Sequence, residues 1–403
     1  MKRTIGLAAL AVILGCGAAS AQQVNVKIGV LTDMASLYAD DTGIGSVIAA
    51  KMAAADFMKD HPKFKVEVVS ADHQNKADIG SQIVNQWIDV DHVDMIADVP
   101  NSGVALAISQ IVAQKNKVFV ASGPASSDLT GPKCQPTTVH WTYDTWMLAN
   151  GTGKAIVKNG GDSWFFLTSD YAFGHALERD TMAVVKANGG KVLGAVRHPI
   201  NTNDFSSFLL QAQASKAKII GLANAGGDTI NAIKQGAEFG IVAGGQKFAG
   251  LLIFAPDVAA LGLKTAQGLQ FTETFYWDLN DGTRAWTKRW QKERNAAGKL
   301  PSMNMAGVYS GTLHYLKAVA ALGSAADGKA VVAKMKAMPA EDSVYGKSTV
   351  RADGRVLHPA YLFEVKKPEE SKYPGDLYKL RATIPADEAF RPLKDGGCPL
   401  VSG

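Results

Sequence analysis

One grammar recurs along this chain: a short run of β-branched and apolar residues, a polar loop, then a stretch whose apolar residues repeat at helical spacing. It begins with Val26 to Leu31 ahead of Val47–Met58, where Val47, Ile48, Met52, Ala55 and Met58 share one helical face. It returns as Lys65–Ala71 with Ile79–Ile88, as Asp94–Ala97 with Val104–Val112, and as Val118–Ala121 ahead of a Gly/Pro/Ser loop. Strands that alternate with helices pair in parallel through helical crossovers, so the pattern predicts an α/β fold.

A second series starts near Trp141. Helices are predicted over Trp146–Val157, Gly174–Asn188, Phe205–Ala214 and Asp228–Phe239, with strands at Ser163–Thr168, Lys191–Val196, Ile219–Leu222 and Leu251–Phe254. No Ser/Gly linker separates the two series at Val139–Tyr143, so ordered chain should join them. From Thr283 the pattern changes to helices at Arg284–Ala296, Met303–Leu322 and Ala330–Met338, then to a hairpin of Ser348–Arg351 and Ala360–Val365 around Asp353-Gly354. A hairpin does not stand alone in water. These late elements must dock on the earlier units, so the chain should cross between them more than once.

The amino terminus reads as an export leader over residues 1–21. Lys2 and Arg3 precede an apolar run, Ile5 to Leu14, too short to span a bilayer, and the run closes on Ala19-Ser20-Ala21, a small-residue cleavage signature. The alternative, a lipid-bearing Cys16, places a bulky Leu14 in a motif that wants small residues. Cleavage leaves Cys134 and Cys398, an even count in an oxidising compartment, which predicts one disulfide rather than two free thiols. The formal charge of +5 falls with loss of the leader and forms no long basic block, so nucleic acid is not an expected partner.

Chemistry-bearing motifs are missing. The chain has no G-x-S-x-G, no H-E-x-x-H and no helix-spaced histidine pair, so no cofactor, metal or catalytic residue is expected. Asp89, Asp91, His92 and Asp94 match no Ca²⁺ loop and read as a solvated turn. Gly43-x-Gly45 lacks the remaining elements of a phosphate cradle.

In open α/β sheets ligands bind beyond the carboxyl ends of the strands. The loops there are Thr32–Tyr38, Val99–Gly103, Ser122–Asp128, Ser169–Gly174, Asn224–Asp228 and Ala255–Asp257. Asn101 or Ser102 reads as a helix cap whose free N–H groups could also hold a carboxylate.

The order of LTDMASLYADDTG, ASGPASSDLT, DYAFG before a helix, and a late HPAYL strand resembles the branched-chain amino-acid-binding type of periplasmic proteins that serve ABC importers. The resemblance runs from about Val26 to Val365. It implies two Rossmann-like lobes joined by a three-crossing hinge: 24–141 plus 273–341 in the amino-terminal lobe, 142–272 plus 342–385 in the carboxy-terminal lobe, and a 386–403 tail. It also implies a monomer that closes on a small solute and delivers it to an inner-membrane permease. By position it puts Tyr38 at the cleft mouth and Ser102 on a carboxylate. Gly123, Ala125 and Ser126 would supply first-lobe contacts, Tyr171 the second-lobe ring, Asn224 a wall, and Asp257 the ammonium partner, with Asp144 assisting. Trp141, Tyr143 and Phe173 add bulk near this cleft; if they line it, an aromatic or acyl solute fits better than leucine. The competing functions are a soluble sensor for a membrane receptor, and an exported hydrolase using Asp257 with a second carboxylate.

Overall fold

The computed structural model describes residues 23–401. The expected leader and Cys16 lie outside the described residues. β1 (Val24–Thr32), β2 (Phe64–Asp72), β3 (Met95–Asp98), β4 (Val118–Ala121) and β5 (Thr138–His140) form a parallel sheet in the order β2-β1-β3-β4-β5. Alternate side chains go to opposite faces. Ile28, Met95 and Val120 pack with helices Gly43–Asp60 and Met303–Leu322, whereas Leu31, Ile96 and Phe119 pack with Ala77–Asp89 and Ser102–Gln114. Covering both faces explains why these strands read as continuous apolar runs.

The second lobe repeats the plan with β6 (Ser163–Ser169), β7 (Lys191–His198), β8 (Ile219–Ala223) and β9 (Lys247–Gly250), parallel in the order β7-β6-β8-β9. The strand expected at Leu251–Phe254 is displaced: β9 ends at Gly250, and the more apolar residues after it form the loop that enters the helix Ala255–Leu261.

β10 (Gln270–Glu273) belongs to a separate antiparallel sheet whose other strands are the late ones. The strands after it are β11 (Ala340–Asp342), β12 (Gly346–Val350), β13 (Val356–Leu357), β14 (Ala360–Val365) and β15 (Tyr378–Ile384). The expected hairpin around Asp353-Gly354 exists, but its second arm is β13; Ala360–Val365 instead pairs with β10 and β15. Gly354 O accepts from His140 N at 2.9 Å, docking the hairpin on the edge of β5. Residues 342–357, expected with the second lobe, thus pack on first-lobe elements.

The chain passes between the lobes at Trp141–Asp144, after β10, and between β13 and β14. The tail then makes a further passage. Leaving β15, it places Phe390 against His358, sends Arg391 to Ser127 O at 3.1 Å, and ends in the Cys134–Cys398 disulfide on the first lobe. Arg355 is fully buried at this hinge, donating to Tyr143 O at 2.8 Å, pairing with Asp144 at 3.5 Å, and lying over the Phe390 ring.

Candidate functional site

The carboxyl ends of the two sheets face each other, and the lobes touch on both flanks of the cleft. On one flank the Tyr38 and Tyr171 hydroxyls lie 2.5 Å apart, and Gly227 N approaches Leu37 O at 3.4 Å. Gly226 is needed there: its φ is 57°, and an added Cβ would sit 2.4 Å from Leu37 O. On the other flank Arg179 pairs with Asp128 at 3.0 Å, while buried Asp180 accepts from Ser127 Oγ and Thr145 Oγ1 at 2.7 and 2.5 Å. Contacts on both flanks make this a closed arrangement.

Between the flanks lies a tight cavity of about 10 Å³. Its walls are largely aromatic: Tyr38, Tyr143, Tyr171, Phe173 and Phe254, with Pro100, Ala125, Ala225 and Leu252 filling between them. Gly123 and Asn304 complete the lining, and no Asp, Glu, Lys or Arg contributes to it. Ligand sites commonly run from ~300 Å³ upward, so the lobes must part before a solute can enter.

Local knots set the positions of these groups. Asp33, fully buried, accepts from Tyr38 N at 2.9 Å, Ser36 N at 2.9 Å and Asn75 Nδ2 at 2.7 Å, which fixes the loop that presents the Tyr38 ring. Burial alone would raise its pKa, but the converging donors hold it below the usual value. Desolvation pushes the Tyr38 phenol well above its ordinary range, with Tyr171 adding to the effect, so both hydroxyls stay protonated. Tyr143 Oη donates to Gly123 O at 2.8 Å. Gly123 has no room for a side chain: a Cβ would meet Asp98 Oδ1 at 2.6 Å and Pro100 Cα at 2.8 Å.

Tyr38, Gly123, Ala125, Tyr171 and Phe173 stand on the cavity wall, as does Tyr143. Other expected site residues make hydrogen bonds or packing contacts within the protein. Asn101 caps the helix Ser102–Gln114, accepting from Gly103 N and Val104 N. Ser102 Oγ accepts from Ala125 N at 3.3 Å and Ser126 N at 3.1 Å, pinning the loop behind the wall, and Ser126 in turn caps the turn at Asp128. Asn224 is tied to His198 and Thr229, leaving its neighbour Ala225 at the cavity. Asp144 caps the helix at Met147 and pairs with Arg355 in the hinge. Trp141 packs against His314 within the first lobe.

Asp257 is absent from the cavity wall. Its carboxylate accepts from Phe254 N at 3.0 Å, from the third position of the helix Ala255–Leu261. Burial raises its pKa to about 7, and it in turn raises that of first-lobe Asp41, whose own desolvation is the larger cause. Leu252, Phe254 and Asn304 were not singled out by the sequence; the first two belong to the run read as a strand. Asp89 and Asp94 are engaged by Lys115 and Lys117, each at 2.8 Å.

Two α/β lobes closing over a small cavity suit a solute trap, and residues 25–372 match the family model described as periplasmic binding protein. The chain belongs to the periplasmic binding protein family. This binding protein is similar to a crystallised periplasmic binding protein from Burkholderia mallei, 51% identical, with a TM-score of 0.90 over 94% of this chain and 99% of that one. It is also similar to the periplasmic ligand-binding protein of a branched-chain amino acid ABC transporter from Burkholderia xenovorans LB400, 38% identical, with a TM-score of 0.80 over 93% and 99% of the two chains. Leu/Ile/Val-binding protein homolog 6 of Brucella melitensis is 26% identical over 391 residues, 93% of this chain and 95% of that one. The expected α/β architecture of a type I periplasmic binding protein is thus the one found. Binding proteins of this family take up small solutes and work with ABC permeases. Among the described residues no helix is long and apolar enough to cross a membrane.

Proposed function

We propose that this protein is exported, acts as a monomer, and captures a small carboxylic acid with an aromatic or acyl body for an inner-membrane ABC permease, in preference to an α-amino acid. The composition of the cavity wall carries this reading. Five aromatic rings and no charged side chain surround the space, and the acid expected to hold an ammonium is spent on a helix cap. An ammonium stripped of water would have no counter-charge on the wall, and unpaired buried charge is heavily penalised.

The carboxylate would be held by neutral donors. The Tyr38–Tyr171 pair shares one hydrogen between its oxygens and has the other to offer. An aromatic or acyl body would stack among Tyr143, Phe173 and Phe254.

The closed form is the state a permease would recognise, and a solute drives closure only by binding that state better than the open one. A hydrolase would need a second acid poised with Asp257 at the substrate, yet Asp257 is not on the cavity wall. Thermal melting of the ligand-stripped protein against amino acids, aromatic acids, acyl acids and sugars tests the reading. A solute at a hundredfold excess over Kd should stabilise the fold by ~2.7 kcal/mol. Shifts confined to sugars or to α-amino acids would overturn it.

A further inference from the structure

Resting on that reading of the cleft, we infer that Asn304 is its specificity-determining residue: the carboxamide oxygen accepts a hydrogen bond from a donor carried by the solute, so the preferred acid bears a hydroxyl or an N–H.

Asn304 is the second residue of the helix Met303–Leu322, which belongs to the first lobe but is encoded after the chain has visited the second. Ser302 caps this helix, accepting from Asn304 N at 3.2 Å and Met305 N at 3.3 Å, and its hydroxyl donates to Asp41 O. The backbone is therefore satisfied and its position set, leaving the side chain free for another task. That side chain is only 2% exposed, and it stands on the cavity wall.

Tyr143 Oη spends its single hydrogen on Gly123 O, so it has none to give to the amide oxygen of Asn304 beside it. Asn304 Oδ1 has no hydrogen-bond partner among the described residues.

Buried amide oxygens without partners are uncommon and costly, so a persistent one on a binding wall signals a missing donor. The other polar side chains of the wall are hydroxyls that already bond to one another or to backbone: Tyr38 with Tyr171, and Tyr143 with Gly123. Asn304 is thus the group whose satisfaction changes most when a solute enters. A site of this kind rejects the analogue lacking the donor, because the empty pairing leaves the oxygen buried and dry.

Isothermal titration of the ligand-stripped protein with benzoate, 3-hydroxybenzoate and 4-hydroxybenzoate measures the effect directly. At least one hydroxybenzoate should bind tenfold or more tightly than benzoate. In Asn304→Leu that preference should fall below about twofold. If the leucine variant does not fold, Asn304→Ala reads out the same ratio. A preference that survives in the variants, or a wild type indifferent to the hydroxyl, overturns the assignment of Asn304 and leaves the acid-binding function standing. Binding of α-amino acids with no response to any of the three benzoates overturns both.

Discussion

The Tyr38 and Tyr171 hydroxyls meet 2.5 Å apart, one carried by the loop after β1 and the other by the loop after β6. Each ring belongs to a different lobe, so this hydrogen bond exists only while the cleft is shut. Its free energy is added to the closed state alone, and with it to the affinity for a solute that the closed state traps. A single hydrogen bond contributes ~0.5–1.5 kcal/mol, which corresponds to a factor of ~2–13 in affinity. Tyr38→Phe and Tyr171→Phe should each weaken binding by that factor, and the double variant should be little worse than either. Titration calorimetry around the double-mutant cycle measures the coupling; strictly additive losses would mean that the hydroxyls act separately.

Ser102 holds the amides of Ala125 and Ser126 with one oxygen. Ser102→Ala leaves two fully buried N–H groups without their acceptor, at a cost of roughly 1–3 kcal/mol. Both the melting temperature and the affinity should drop, because the same loop carries the Ala125 wall. Unchanged stability in urea unfolding would show that the loop finds other partners.

Closing a loop between residues separated by 264 positions, the Cys134–Cys398 bond ties the tail to the first lobe after its last passage across the hinge. Loops of this length restrict the unfolded chain strongly, and such bonds are typically worth ~2–5 kcal/mol. The double variant Cys134→Ser, Cys398→Ser should melt at a lower temperature by that margin. Phe390 and Arg391 keep non-covalent hold of the tail, so the fold itself should survive.

Burial raises Asp98, Asp228 and Asp257 to about 7, and it raises Asp41 and Glu273 as well. Burial lowers His73 and His358 to about 4 and depresses His140 too. Below about pH 6.5 the two sets oppose each other: the unfolded chain protonates its histidines while the folded protein keeps protons on its carboxyls. Above that pH the histidines are neutral in both states and only the carboxyls act. There the folded protein binds more protons than the unfolded one, so stability falls as pH rises through about 7. Melting curves between pH 6.5 and 8 should show this decline. Asp257→Asn, which preserves the cap on Phe254 N, should flatten it by an amount on the order of 1 kcal/mol.

Much of the fold was legible because both lobes are built from local patterns of period two and three to four residues. Legibility failed where local pattern and tertiary role diverge. Leu251–Phe254 is more apolar than Lys247–Gly250, yet the second forms β9, and the first turns out of the sheet with Leu252 and Phe254 on the cavity wall. β15 escaped notice because most of its residues are exposed and carry no alternation, and its pairing with β14 depends on chain paths that sequence does not display. The site follows the same logic. Tyr38, Gly123, Ala125, Tyr171 and Phe173 sit just past strand ends, where the parallel α/β rule directs attention. Asp257 lies off the cavity wall, and an acid three residues into a helix is as well suited to capping as to binding. Asn304 gave no signal, since only the return of the chain to the first lobe carries its helix start to the cleft.

The central claim is that this cleft accepts a small acid and discriminates against an α-ammonium group. Matched pairs that differ only by that group test it most directly: 3-phenylpropanoate against phenylalanine, and 4-methylpentanoate against leucine, each titrated calorimetrically into ligand-stripped protein. The ammonium-free member should bind measurably and more tightly in at least one pair, by tenfold or more, with the amino acid never the stronger. Tighter binding of leucine or phenylalanine than of its ammonium-free counterpart would contradict the account.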